Sequence, residues 1–240
     1  MQPASSDSFA PGTIRAGTAL AWGWRTAVGN WRLWVPLSAI GIAAIALSFV
    51  LLPVTTPLVI AALIIPISSV TALRQTRERR LRLTQVRATE YQETLLTSLF
   101  VVAACVGVLT AWSTAVTGSL AGLFPARGLN QGAPFYQTGV FWLVAGVAVW
   151  INLLAPLASM VMLYAADGMS VWRASGPGMR AGLRNYGALL SISLVSTALN
   201  LVGLALAGLA LLLTLPFSLL AFAHAYMQVS GQPLPEEATS

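Results

Sequence analysis

The chain has 240 residues, of which 57% are apolar and 8% charged, and its mean hydropathy is +0.77. Soluble domains carry about 25% charged residues, so this chain has too little charge to cover a water-facing surface, which excludes an ordinary soluble domain and a disordered chain. The net charge of +6, carried on arginine alone, points to anionic lipid head groups before nucleic acid.

A helix needs about 20 mostly apolar residues to cross the hydrocarbon core. The first such stretch covers residues 33–52, with the body WVPLSAIGIAAIALSFVLL. Pro53 and Pro57 then bracket a short break before a second stretch over 54–73. Proline cannot continue the hydrogen-bond ladder, so two antiparallel helices with a tight turn are expected. A third span is expected over 95–117 and a fourth over 140–165, separated by the loop FPARGLNQGAPFYQTG at 124–139. The last apolar block is too long for one crossing. Split near residues 201–203, it gives a short fifth span at 188–202 and a longer sixth at 203–229, which Pro216 kinks. Five spans with a re-entrant end is the alternative. The expected fold is therefore all-α: a single polytopic helical bundle over 13–229, about six spans as three hairpins. Disordered tails are expected at 1–12 and 230–240.

Arginine placement sets the orientation. With the N-terminus cytoplasmic, twelve arginines lie inside and Arg127 alone outside. The first hydrophobic run starts more than thirty residues in and shows no small-residue cleavage site, so it reads as a span rather than a signal peptide. With an Arg-only, Ala- and Leu-rich composition, the expected location is a bacterial cytoplasmic membrane.

The segments ahead of the spans carry a second pattern. Over 13–34, Leu20, Trp24, Ala27, Trp31 and Trp34 form one helical stripe, while Arg15, Thr18, Trp22, Arg25, Gly29 and Arg32 form the opposite one. Tryptophan on one face and arginine on the other suits a helix at the membrane interface, where rings sit at head-group depth and guanidinium groups meet phosphates. Trp24, Arg25, Trp31 and Arg32 are the candidate head-group contacts here. The spacing Arg25, Asn30, Trp31 returns as Arg180, Asn185, Tyr186 ahead of the fifth span, which adds Arg180 and Arg184 to the candidates. With the arginine-rich segment 74–95, the pattern becomes a cytoplasmic amphipathic segment plus hairpin, repeated three times.

Three motifs, WGWRTAVGNWRLWVPL, RAGLRNYGALL and TLPFSLLAFAHAYMQVSGQP, resemble uncharacterised bacterial polytopic membrane families. These are related to the membrane domain attached to some glycerophosphodiester phosphodiesterases. The resemblance implies an all-helical bundle of about six spans. It carries over no catalytic residue, because the hydrolase is a separate soluble domain that nothing here matches.

Chemistry is sparse. Every acidic residue lies outside the expected spans, whereas ion- and proton-coupled carriers need an ionisable group within them. The lone Cys105 excludes an internal disulfide, and clustered metal ligands are absent from the sequence. Glu90 and Glu93 read as a solvated counter-charge to the preceding arginines. Asn152, Asn200 and His224 fall inside apolar stretches, where an amide or imidazole seeks a partner on a neighbouring helix. The expectation is a non-enzymatic integral membrane protein that scaffolds or assists a membrane assembly, with no cofactor and no metal. The alternative is a small-solute or lipid carrier. Expected partners are the anionic bilayer surface and a membrane protein or second copy of the chain, not nucleic acid.

Overall fold

A computed structural model describes residues 12–51, 55–78, 81, 92–117, 139–206 and 208–234. Among them the chain is all-α, with eight helices and no strand. In order these are α1 (Ala16–Gly29), α2 (Trp31–Leu51), α3 (Thr55–Arg77), α4 (Gln92–Thr117), α5 (Gly139–Ala166), α6 (Val171–Arg184), α7 (Tyr186–Ala205) and α8 (Leu211–Ser230). The loop at 124–139 lies outside the described residues except for Gly139, and so do both expected tails apart from residues 12 and 230–234.

Six of the helices are long, and each overlaps one expected span. By length and composition, two of the described ones, α7 and α8, are long and apolar enough to cross a bilayer. The ends differ from expectation in one instructive place. With α7 ending at Ala205 and α8 starting at Leu211, the last apolar block turns several residues later than the expected 201–203. Gly208 makes the turn with φ at +78°, a left-handed conformation that glycine adopts without steric cost. Gly203 instead stays helical and faces the start of α8: a Cβ there would lie 3.1 Å from the Leu211 nitrogen.

The packing repeats three times. The pairs α2–α3, α4–α5 and α7–α8 are hairpins whose members touch. The second helix of each also touches the first helix of the next in cyclic order, as α3–α4, α5–α7 and α8–α2. The three second helices, α3, α5 and α8, contact one another and form the centre. Each carries one buried proline, at Pro66, Pro156 and Pro216.

The short helices follow the same cycle, α1 lying on α8 and α6 on α5. Each seats through a glycine where no side chain fits. A Cβ at Gly23 would meet the Ala221 nitrogen at 2.9 Å, and one at Gly178 would meet the Val161 Cα at 2.7 Å. Each then ends at an asparagine that joins it to a long helix. Asn30 donates its N–H to the Thr26 carbonyl while its own carbonyl accepts from Leu33 and Trp34; Asn185 donates to Ala181 and accepts from Leu189. One residue thus closes one helix and opens the next. The matching Arg–Asn–aromatic spacings mark the same joint twice. The equivalent segment before α4 lies outside the described residues, apart from Glu78 and Leu81.

Candidate functional site

The C-terminal ends of the three central helices meet in one polar cluster. Arg77 closes α3, Asp167 directly follows α5, and Tyr226 and Gln232 lie at and just beyond the end of α8. Arg77 donates to Asp167 Oδ1 as an ion pair and to Gln232 Oε1 at 2.8 Å. The Tyr226 hydroxyl and the Gln232 amide donate to Asp167 Oδ2 at 2.7 and 2.8 Å. Tyr164 stands edge-on to Tyr226, with ring centroids 4.9 Å apart. Partial burial alone would raise the Asp167 pKa. The hydrogen bonds from Arg77, Tyr226 and Gln232 and the Arg77 charge outweigh it and hold the carboxyl below its ordinary value. A carboxylate so held is a fastener and a weak proton acceptor at neutral pH.

A second cluster joins α1 to α8 around His224, which is 1% exposed. Its ring stacks on Trp22 at 5.1 Å, and its Nδ1 lies 3.0 Å from the Gln228 amide nitrogen. Gln228 accepts the Arg15 backbone N–H at 2.6 Å and approaches the Thr18 hydroxyl at 3.2 Å. Nearby, Asn185 accepts the Ile14 N–H and donates to the Gly12 carbonyl, so residues 12–15 strap the α6–α7 joint to the end of α8.

The two mid-helix asparagines behave differently. Asn152 of α5 is buried and accepts from two hydroxyls one turn apart on α7, Ser193 at 2.8 Å and Thr197 at 3.1 Å. Asn200 of α7 reaches Ser218 of α8 only at 3.5 Å, and its buried Oδ1 has no partner among the described residues.

The outer faces of the short helices are half apolar and half basic. On α1 and the start of α2, Trp24, Val28 and Trp31 are exposed beside exposed Arg25 and Arg32, and the Arg32 guanidinium sits 5.8 Å from the Trp31 ring. On α6, Trp172 is 82% exposed and Met179 and Leu183 are exposed beside Arg173, Arg180 and Arg184. The expected single stripe over 13–34 divides differently, because the helix breaks at Asn30 and because the buried face of α1 runs through Ala19, Trp22, Gly23 and Ala27. Trp24 and Trp31 stay outside, while Ala27 and Trp34 pack inward, and Trp22 leaves the arginine stripe to meet His224. Glu90 and the side chains of Glu93 and Cys105 lie outside what is described.

Residue-by-residue reading of the sequence missed Arg77, Asp167, Tyr226 and Gln232 as a unit. A signal was present: Arg77 and Asp167 each stand eleven residues after the proline of a central helix. No protein-family model, curated protein or solved structure matches the chain.

Proposed function

We propose that the chain is a multi-pass integral membrane protein whose six long helices cross the bilayer and whose role is to scaffold or assist a membrane assembly. The observation that carries this reading is the apolar exterior of the long helices, with hydroxyls and amides admitted to the interior. Ile40, Leu63, Phe100, Val149, Leu201 and Leu204 are exposed on the long helices, while Ser69, Thr71, Thr97, Ser98, Asn152 and Ser193 are buried between them. Large apolar side chains exposed in this number suit lipid or a partner protein. The arginines on the outer faces of α1 and α6 fit anionic head groups at the end where α3, α5 and α8 terminate. The arginine asymmetry supports a cytoplasmic location for that end and for the N-terminus. The likeness of the three sequence motifs to bacterial polytopic families points the same way.

The scaffold role is supported by a centre in which α3, α5 and α8 pack on one another and are fastened at their ends by the Asp167 cluster. A carrier is the second reading, favoured by the unsatisfied polar atoms between α7 and α8. Cysteine labelling at positions 79, 127 and 236 in a Cys105→Ser background tests the topology, with inside, outside and inside expected. Labelling of 127 from the cytoplasmic side alone overturns the orientation, and extraction of the protein by alkaline carbonate overturns membrane integration. Purification in mild detergent separates the roles: a protein partner at fixed stoichiometry supports the scaffold, and a bound solute without one supports the carrier.

A further inference from the structure

The two short helices are seated at matching places. Gly23 of α1 packs on Ala221, five residues beyond Pro216 of α8, and Gly178 of α6 packs on Val161, five residues beyond Pro156 of α5. Aligned on these glycines, Ala19 matches Ala174 and Ala27 matches Gly182, all of them small and buried. The outward positions differ. Thr18, Arg25 and Gly29 correspond to Arg173, Arg180 and Arg184, and all six are exposed. The same framework thus seats a helix with one arginine as readily as with three, so packing does not call for the basic row on α6. That row is also uncompensated. No acidic residue occurs in α6, no ion pair to the three arginines occurs among the described residues, and Asp167, the nearest acid in sequence, is held by Arg77. Arg180 and Arg184 stand one turn apart, where like charges weaken a helix.

An apolar row runs beside the basic one. Trp172, Met179 and Leu183 are exposed and each precedes an arginine by one residue, which sets the two rows about 100° apart around the helix. Trp172 also meets the exposed Phe100 of α4, with ring centroids 6.3 Å apart, so the apolar row continues onto the outer surface of a long helix. We propose, resting on the reading of the chain as membrane-integrated, that α6 is a selective site for anionic phospholipid. The apolar row enters the acyl region beside α4, and the guanidinium groups bind head-group phosphates through paired N–H donors. A zwitterionic lipid offers the same phosphate but carries its own cation, so the row favours lipids with net negative charge. Each arginine near an anionic surface strengthens the attraction about fivefold. On α1, where Arg25 alone occupies these positions, the exposed Trp24 anchors the helix with little lipid preference.

Photocrosslinking from a single cysteine tests this. Leu183 is 61% exposed between Arg180 and Arg184, and Val28 is its exposed counterpart on α1. Leu183→Cys or Val28→Cys, each in a Cys105→Ser background, is labelled with benzophenone-maleimide and reconstituted in bilayers of equal parts phosphatidylglycerol and phosphatidylcholine. Lipid adducts are then counted by mass spectrometry. At position 183 phosphatidylglycerol should exceed phosphatidylcholine several-fold. The preference should vanish in about 1 M salt, which screens exposed charges, and in the triple variant Arg173→Gln, Arg180→Gln, Arg184→Gln. At position 28 it should be clearly smaller. Even labelling at 183, or a preference that survives salt, overturns the site, and an equal preference at 28 overturns the division between the two helices. If alkaline carbonate leaves the protein in the membrane but position 183 captures no lipid, something else covers α6 and this inference alone falls. Release by carbonate instead removes the membrane reading beneath it. Should the triple variant fail to fold by circular dichroism, the salt comparison on the labelled parent decides.

Discussion

Replacing Asp167 with asparagine removes the charge on which the ends of α3, α5 and α8 converge while keeping the side chain's shape. Asp167 accepts on both oxygens, from Arg77 on one and from Tyr226 and Gln232 on the other. An asparagine offers one acceptor and one donor, and it keeps most by turning its oxygen to Tyr226 and Gln232. Those two bonds then lose their charge assistance, at about 1 kcal/mol each. The Arg77 pair contributes less, because that guanidinium is 44% exposed and can turn into water. Against this, a carboxylate at the C-terminus of α5 faces the negative end of the helix dipole, and its removal returns roughly 0.3–1 kcal/mol. The net loss is about 2 kcal/mol, or roughly 4–8 °C in Tm for a chain of this size. Tryptophan-fluorescence melting in detergent at pH 7 measures it. The folded Asp167 pKa lies below the unfolded value of about 3.9, so its contribution is fully present above that value and is lost as pH falls through the folded pKa. The parent should therefore show an acid loss from this group only below about pH 4, and Asp167→Asn should not show it. A variant that melts within about 1 °C of the parent, or a parent whose Asp167-dependent stability already falls at pH 6, would refute the assignment.

Gly178→Ala should destabilise by about 3 kcal/mol, since the new methyl meets the Val161 backbone, whereas Gly187→Ala in the first turn of α7 meets nothing and should gain up to about 1 kcal/mol; paired melts decide. Asn152→Leu strands the Ser193 and Thr197 hydroxyls and should cost about 0.6–1.7 kcal/mol, seen as a small drop in Tm with the fold intact by circular dichroism. Replacing both Trp24 and Trp31 with Ala should loosen the exposed face of α1 from the bilayer, so that trypsin cuts at Arg25 or Arg32 several-fold faster in liposomes while the long helices stay protected.

The long helices were legible because apolar runs bounded by Pro, Gly and arginine have few other solutions at this length. What the sequence could not convey was the partner of each polar side chain. Asn152 and Asn200 look alike in an apolar run, yet one meets two hydroxyls of α7 and the other barely reaches α8. The difference is a matter of helix rotation, which no local spacing encodes. Trp22 was misplaced for a related reason: the face of α1 that meets α8 runs through Ala19, Trp22, Gly23 and Ala27, between the two expected stripes, and spacing alone does not say which arc of a helix is buried. The α7–α8 turn was misplaced because both Gly203 and Gly208 were available, and only tertiary contact tells the close-packing glycine from the turn-forming one.

The threefold repeat explains why charge gathers where it does. Three parallel central helices end side by side, so three sets of unpaired carbonyls and three negative dipole ends meet at one place. A cation there is favourable, and Arg77 supplies it from the end of α3. At the equivalent point of α5 the repeat places Asp167, which the dipoles alone would reject and which Arg77, Tyr226 and Gln232 make tolerable. The third equivalent position is the buried Met227, so α8 answers instead with its neighbour Tyr226 and with Gln232, beyond the left-handed cap at Gly231. Three equivalent helix ends thus carry a cation, an anion and a pair of neutral polar groups that hold each other. Arg77→Met should accordingly raise the Asp167 pKa toward its unfolded value and shrink the acid loss of stability, whereas Tyr226→Phe should shrink it less, because Arg77 would remain in contact with the carboxylate.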